Sequence, residues 1–188
     1  MPEPRQILFF VLRFAAVFGL LLLPWPHLQS AFGEAYRAGT RILVGLACPG
    51  WQISAEAYHD PKHPTIDTRI GIGDPKDRRP DGTLPIKGVS MDSRSLGWMP
   101  IVMFMALWGA TPLTGPLRWK VLGAGFFGTV FFTALTAMAA VSPAISSGDG
   151  WFGFLSLVSH HVLIDNLWLS FVGPALIWLA TVLWLWRE

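Results

Sequence analysis

The 188 residues are 52% hydrophobic and 14% charged, and the net charge is +2. Soluble domains carry roughly 25% charged residues, so the composition is that of an integral membrane protein with little length left for a soluble core. The small net charge argues against a nucleic-acid partner, and the single cysteine, Cys48, excludes an internal disulfide framework and a Cys-x-x-Cys metal site.

The first element, Ile7–Leu23, is apolar except for Arg13. Pro24-Trp25-Pro26 follows it in place of a small-residue cleavage site, so residues 1–26 read as an uncleaved membrane anchor. Arg13 is placed to snorkel to the cytoplasmic headgroups or to form an ion pair in a helix bundle. Gln29–Gly45 mixes Phe32, Tyr36 and Leu43 with Glu34, Arg37 and Arg41. It predicts an amphipathic helix on the outer membrane surface, with Ser30 as its N-cap. Trp51–His59 and Thr65–Ile72 alternate with period two, and Leu84–Val89 adds a third short run. The breaks between them, Asp60–Pro64 and Asp74–Gly82, carry turn residues. These segments predict two or three antiparallel strands. Residues 27–97 are then an extracytoplasmic segment of one helix and a small sheet.

Residues 98–188 predict three further membrane helices. Two uncharged runs, Ser95–Leu117 and Val121–Gly148, flank a short break that carries Arg118 and Lys120. A span needs ~20 apolar residues, so the two runs read as a hairpin with its basic turn in the cytoplasm. The final span, Asn166–Trp186, has Gly173-Pro174 at its middle, and an interfacial helix near 150–165 precedes it. The expected fold class is an all-α membrane bundle of four transmembrane helices with a small extracytoplasmic α+β segment and both termini cytoplasmic. Nine of the fourteen basic residues fall in the outer segment. A segment of ~60 residues translocates largely regardless of charge, although the reversed topology stays open.

Three constellations could carry chemistry. Cys48, Arg94 and His160 or His161 share the outer side, and a thiol, a base and an oxyanion-holding arginine would make a transpeptidase or protease site. The order Cys…Arg…His resembles that of exosortases, the membrane cysteine transpeptidases. Those enzymes have about twice as many spans and place the cysteine in Cys-Ser-Gly, where this chain has Ala47-Cys48-Pro49-Gly50. The alternative reading of Cys48 is a small buried hydrophobe at a turn. His161 and Asp165 stand four residues apart and would need a further ligand, such as His59 or His63, to hold zinc. Gly125, Thr129, Thr133 and Ala137 form a small-residue stripe for close helix packing, either within the chain or with a partner helix. Apart from Arg13, no Asp, Glu, Lys or Arg falls in the middle of a span, which argues against a transporter or proton pump. No cofactor is expected.

The layout as a whole resembles the small polytopic membrane proteins encoded beside exosortases. The matching features are the Arg-interrupted first span, a surface helix holding Tyr36, a β-rich outer segment and Ser93-Arg94-Ser95-Leu96-Gly97-Trp98-Met99-Pro100 leading to Ala110-Thr111-Pro112. This resemblance implies an accessory role in envelope protein sorting or assembly at a bacterial inner membrane, with the bilayer and other membrane subunits as partners. It supplies no catalytic residues. The other functional readings are an exosortase-like thiol enzyme and a peripheral structural subunit of a photosynthetic or respiratory complex.

Overall fold

The computed structural model describes residues 4–59, 61–113, 115–145 and 168–185. The described elements are mostly helical, with one three-stranded sheet. The helices are α1 (Pro4–Leu22), α2 (Trp25–Ala47), α3 (Met99–Ala110), α4 (Gly115–Ile145) and α5 (Trp168–Leu185). The strands are β1 (Gln52–Ala57), β2 (Thr68–Gly73) and β3 (Lys87–Met91), all antiparallel in the order β1-β2-β3.

Two of these helices are long and apolar enough to cross a membrane, over Arg5–Leu22 and Gly115–Ile145. Among the described residues, length and apolarity alone therefore support two of the four expected spans. α3 has 12 residues, and the apolar part of α5, Phe171–Leu185, is also shorter than a full span. The break between α3 and α4 falls earlier than its charges suggested. Thr111-Pro112 ends α3, and Pro116 sits in the first turn of α4, where its missing N–H has no helical partner to lose. Arg118 and Lys120 therefore lie on α4 itself. The Arg118 guanidinium stands 4.7 Å from the Trp108 ring centre, and Trp108 Nε1 donates to the Arg118 carbonyl at 3.0 Å.

α2 is longer than the periodicity indicated because it starts at the prolines. Pro24 takes a helical conformation at the cap position with no side-chain cap bond, so Ser30 is an interior residue. Pro49 cannot continue the helix. Gly50, at φ +85°, turns the chain into β1. β2 is the central strand, and Ile70 and Ile72 on it are almost fully buried. The third strand begins three residues later than the expected segment, Leu84–Val89. Residues 84–86 instead cross the outer face of the sheet, where Gly71 and Gly73 leave room for them. A Cβ at Gly71 would lie 2.9 Å from Ile86 Cγ2, and one at Gly73 would lie 2.6 Å from Leu84 Cδ2.

The sheet's inner face packs on α2 and on the distal part of α4. That core joins Tyr36, Val44, Ile70, Ile72 and Met91 to Ala137, Ala140, Val141 and Ala144. A second core, Val121, Val182 and Leu185 with Trp108 and Trp178, ties the start of α4 to the end of α5. α1 lies against α3 with Val17 on Gly109, and Phe10 meets Trp178 of α5 at 6.3 Å. The mid-span Gly173-Pro174 fits the same arrangement: Pro174 is buried, and Gly173 takes the Phe132 ring of α4.

Gly125, Thr129 and Ala137 of the small-residue stripe pack inside this chain. A Cβ at Gly125 would overlap the Phe104 ring of α3, Thr129 is fully buried and Ala137 belongs to the upper core. The threonine hydroxyls do not bond across helices. Thr129 donates to the Gly125 carbonyl at 2.8 Å and Thr133 to the Thr129 carbonyl at 3.0 Å, so the helix satisfies its own polar groups. Replacing Gly125 with leucine should therefore destabilise the isolated chain by ~1–3 kcal/mol or more through overpacking. Thermal melting in detergent measures this, and a melting temperature equal to that of the unmodified chain would refute the internal packing.

Candidate functional site at the start of α3

The most connected polar cluster lies where β3 runs into α3. Two carboxylates organise it. Asp92 Oδ1 accepts from the backbone N–H groups of Arg94 at 2.9 Å and Ser95 at 3.3 Å, and Asp92 Oδ2 accepts from Ser95 Oγ at 2.6 Å. Asp67, just before β2, accepts from the Ser93 N–H at 3.0 Å, from Thr68 Oγ1 at 3.0 Å and from Ser93 Oγ at 2.5 Å. A helix N-terminus leaves backbone N–H groups without partners and favours negative charge, so both placements follow from helix chemistry. The helix opens on a single π-turn over Arg94–Trp98, in which the Met99 N–H reaches back to the Arg94 carbonyl.

An aromatic cage closes around this turn. Trp98 meets Trp25 at 5.6 Å and Phe32 at 5.3 Å, and Phe32 stacks on Tyr36 at 6.4 Å. Gly97 permits this closeness, since a Cβ there would lie 2.9 Å from both the Phe32 and Tyr36 rings. The Arg94 guanidinium stands 5.8 Å from the Trp25 ring centre, a cation–π placement. Arg94 Nε and Trp98 Nε1 are buried without a hydrogen-bond partner among the described residues. The Tyr36 hydroxyl reaches Met91 Sδ at 3.9 Å, and burial, then the charge of Asp67, push its pKa well above the usual phenol value. Gly33 faces the same corner: a Cβ there would lie 3.1 Å from Arg37 Nη1 and 3.7 Å from Asp67 Oδ2.

This arrangement anchors a helix. Ser93 is fully buried, so its hydroxyl is closed to substrate, and the Asp67 carboxylate that it meets already accepts two further bonds. Cys48 lies elsewhere. It caps the C-terminal end of α2, whereas Arg94 sits over Trp25 at the first residue of that 23-residue helix. A helix of that length spans ~34 Å, so the structure does not bring the Cys48 thiol and the Arg94 guanidinium together. Burial, then the nearby Asp74 charge, raise the Cys48 pKa, which disfavours the thiolate that a nucleophile needs. His160, His161 and Asp165 lie outside the described residues, as does the expected helix near 150–165. Among the described residues no group of three His, Cys, Asp or Glu side chains is placed to hold a metal.

The roles of Asp67 and Asp92 escaped the sequence reading. Asp92 was within reach, since Asp-Ser-Arg-Ser before an apolar run is a helix-start pattern. Asp67 was not, because it acts on a residue 26 positions away.

Two outcomes follow. Replacing Asp67 with alanine leaves the buried Ser93 donors without their acceptor and should cost about 2 kcal/mol or more, read as a lower melting temperature. With its pKa raised, Cys48 should react slowly with iodoacetamide near pH 8, and the rate should keep rising past the ordinary thiol pKa. A rate matching free cysteine at pH 8 would contradict the buried placement. No protein-family model, curated protein or solved structure matches this chain.

Proposed function

We propose that this chain is a non-catalytic accessory or scaffold subunit of a membrane protein complex, with the role in envelope protein sorting or assembly that its layout suggests. The observation that carries this reading is the second apolar stripe on α2. Leu28, Ala31, Ala35, Ala38, Ile42 and Leu46 are all exposed and recur every three or four residues, so they share one helix face. The opposite face, with Trp25, Tyr36, Thr40 and Val44, already holds the sheet and the start of α3. α2 is thus apolar on two sides, with Arg37 and Arg41 on the polar strip between them, and a partner subunit covers the outward stripe. The polar cluster at the start of α3 supports the non-catalytic part of the reading, because its carboxylates are engaged with the chain's own backbone.

In this reading the chain crosses the membrane four times. α3, extended by its π-turn, and α5 join the two longer helices, and both termini are cytoplasmic. Reporter fusions at Glu188 and Asp77 should then report opposite sides, with Asp77 outside. The reverse result would invert the topology.

Affinity purification in mild detergent with mass spectrometry tests the function. Ala35→Glu with Ala38→Glu should leave the chain inserted and folded but strip it of co-purifying membrane proteins. An unchanged set of partners would remove α2 as the docking face. If Cys48→Ala abolished a processing activity at normal protein abundance, the thiol-enzyme reading would replace this one.

A further inference from the structure

We propose that the groove between α1 and the end of α3 binds an anionic phospholipid, its phosphate on Arg13 and its acyl chain along Ile7, Phe10 and Ala110. The inference rests on the reading that α1 crosses the membrane. The groove encloses about 570 Å³, and its lining includes Phe9 and Pro112 besides those residues. Arg13 and Gln6 are its only polar side chains. Its size falls within the range of small-molecule sites.

Three observations select the occupant. Arg13 is exposed, and among the described residues nothing pairs with it. It lies eight residues beyond Arg5, ~12 Å along the helix, at a depth where an unpaired cation is costly and requires an anion or a path to the interface. The helical side chains that share the groove, Gln6, Ile7, Phe9 and Phe10, all precede Arg13 by one or two turns. Helical side chains lean toward the N-terminus, so the guanidinium is directed along the groove toward the ends of α1 and α3. Headgroups lie at that level. A guanidinium grips a phosphate through two parallel N–H bonds. The apolar lining has no use for a free phosphate but matches an acyl chain. Phe10 is held in place by Trp178, so this wall of the groove is formed before any lipid arrives.

The test uses the full chain in nanodiscs of equal phosphatidylglycerol and phosphatidylcholine, extracted into mild detergent, with retained lipid counted by native mass spectrometry. The unmodified chain should retain phosphatidylglycerol about fivefold over phosphatidylcholine, the factor one basic residue near the surface supplies. Arg13→Gln should abolish the preference. Arg13→Lys should keep part of it, since the charge remains but the fork does not. Inorganic phosphate should not displace the lipid. Equal retention of both lipids by the unmodified chain, an unchanged preference in Arg13→Gln, or displacement by phosphate would each overturn the proposal. So would loss of a co-purifying membrane protein from Arg13→Gln at an unchanged lipid ratio, which would assign the groove to a partner's carboxylate. Carbonate extraction separates the two levels. A chain washed from the membrane would overturn the spanning reading together with the proposal, whereas an integrated chain without lipid preference would overturn the proposal alone.

Discussion

α4 has 31 residues and spans ~46 Å, while the hydrocarbon core of a bilayer is ~30 Å thick. The helix is several turns longer than that thickness, and its last turns are apolar and covered: Ala137, Ala139, Ala140, Val141 and Ala144 are all buried. Burying them requires a cover, and α2 with the three-stranded sheet supplies it. A three-stranded sheet of five- and six-residue strands is marginal alone. Built against the end of α4, it gains a core that its three strands could not assemble by themselves. The dependence runs both ways, since the helix end would otherwise expose its alanines to water.

The second anchor of the sheet is electrostatic. Asp67 and Asp92 bind the first turn of α3 from two directions, one from the strand that precedes it and one from the central strand. Charge-assisted hydrogen bonds are roughly twice as strong as neutral ones, and the aromatic rings of Trp25, Phe32 and Trp98 keep much of the surrounding water away. The sheet, α2 and the start of α3 therefore meet at one corner, with Ser93 beside it on Asp67.

Much of this was legible in the order of residues. The first two strands, a helix over most of α2 and the termination of α1 before Pro24 follow from alternation, amphipathicity and proline chemistry, which are local signals. The failures share a different cause. Arg118 and Lys120 looked like a turn because charge interrupts an apolar run, yet proline and glycine, not charge, decided where α4 begins. Leu84–Ile86 was included in the third short run, but two glycines on the neighbouring strand make room for that segment to cross the sheet. The stripe at Gly125 and Thr129 declared that something packs closely without declaring what, and the answer, Phe104, is a long-range fact. The Cys48–Arg94 pairing failed for a metric reason: α2 holds the two a helix length apart.

The π-turn over Arg94–Trp98 has a consequence for how the chain tolerates length changes. Such a turn holds one residue more than an α-helical turn. It sets a phase offset between everything before Ser93 and everything after Met99. Each α-helical residue advances the helix by about 100°, so adding one residue to this already widened turn would rotate α3 against the sheet by about that angle. Phe104 would then swing away from Gly125 while Ser93 stayed with Asp67. The two halves of the chain are thus geared to each other through a single irregular turn. Substitutions on either side can be absorbed singly, and so can the loss of one residue, which returns the turn to α-helical spacing, whereas an insertion between 94 and 98 disengages the halves from each other.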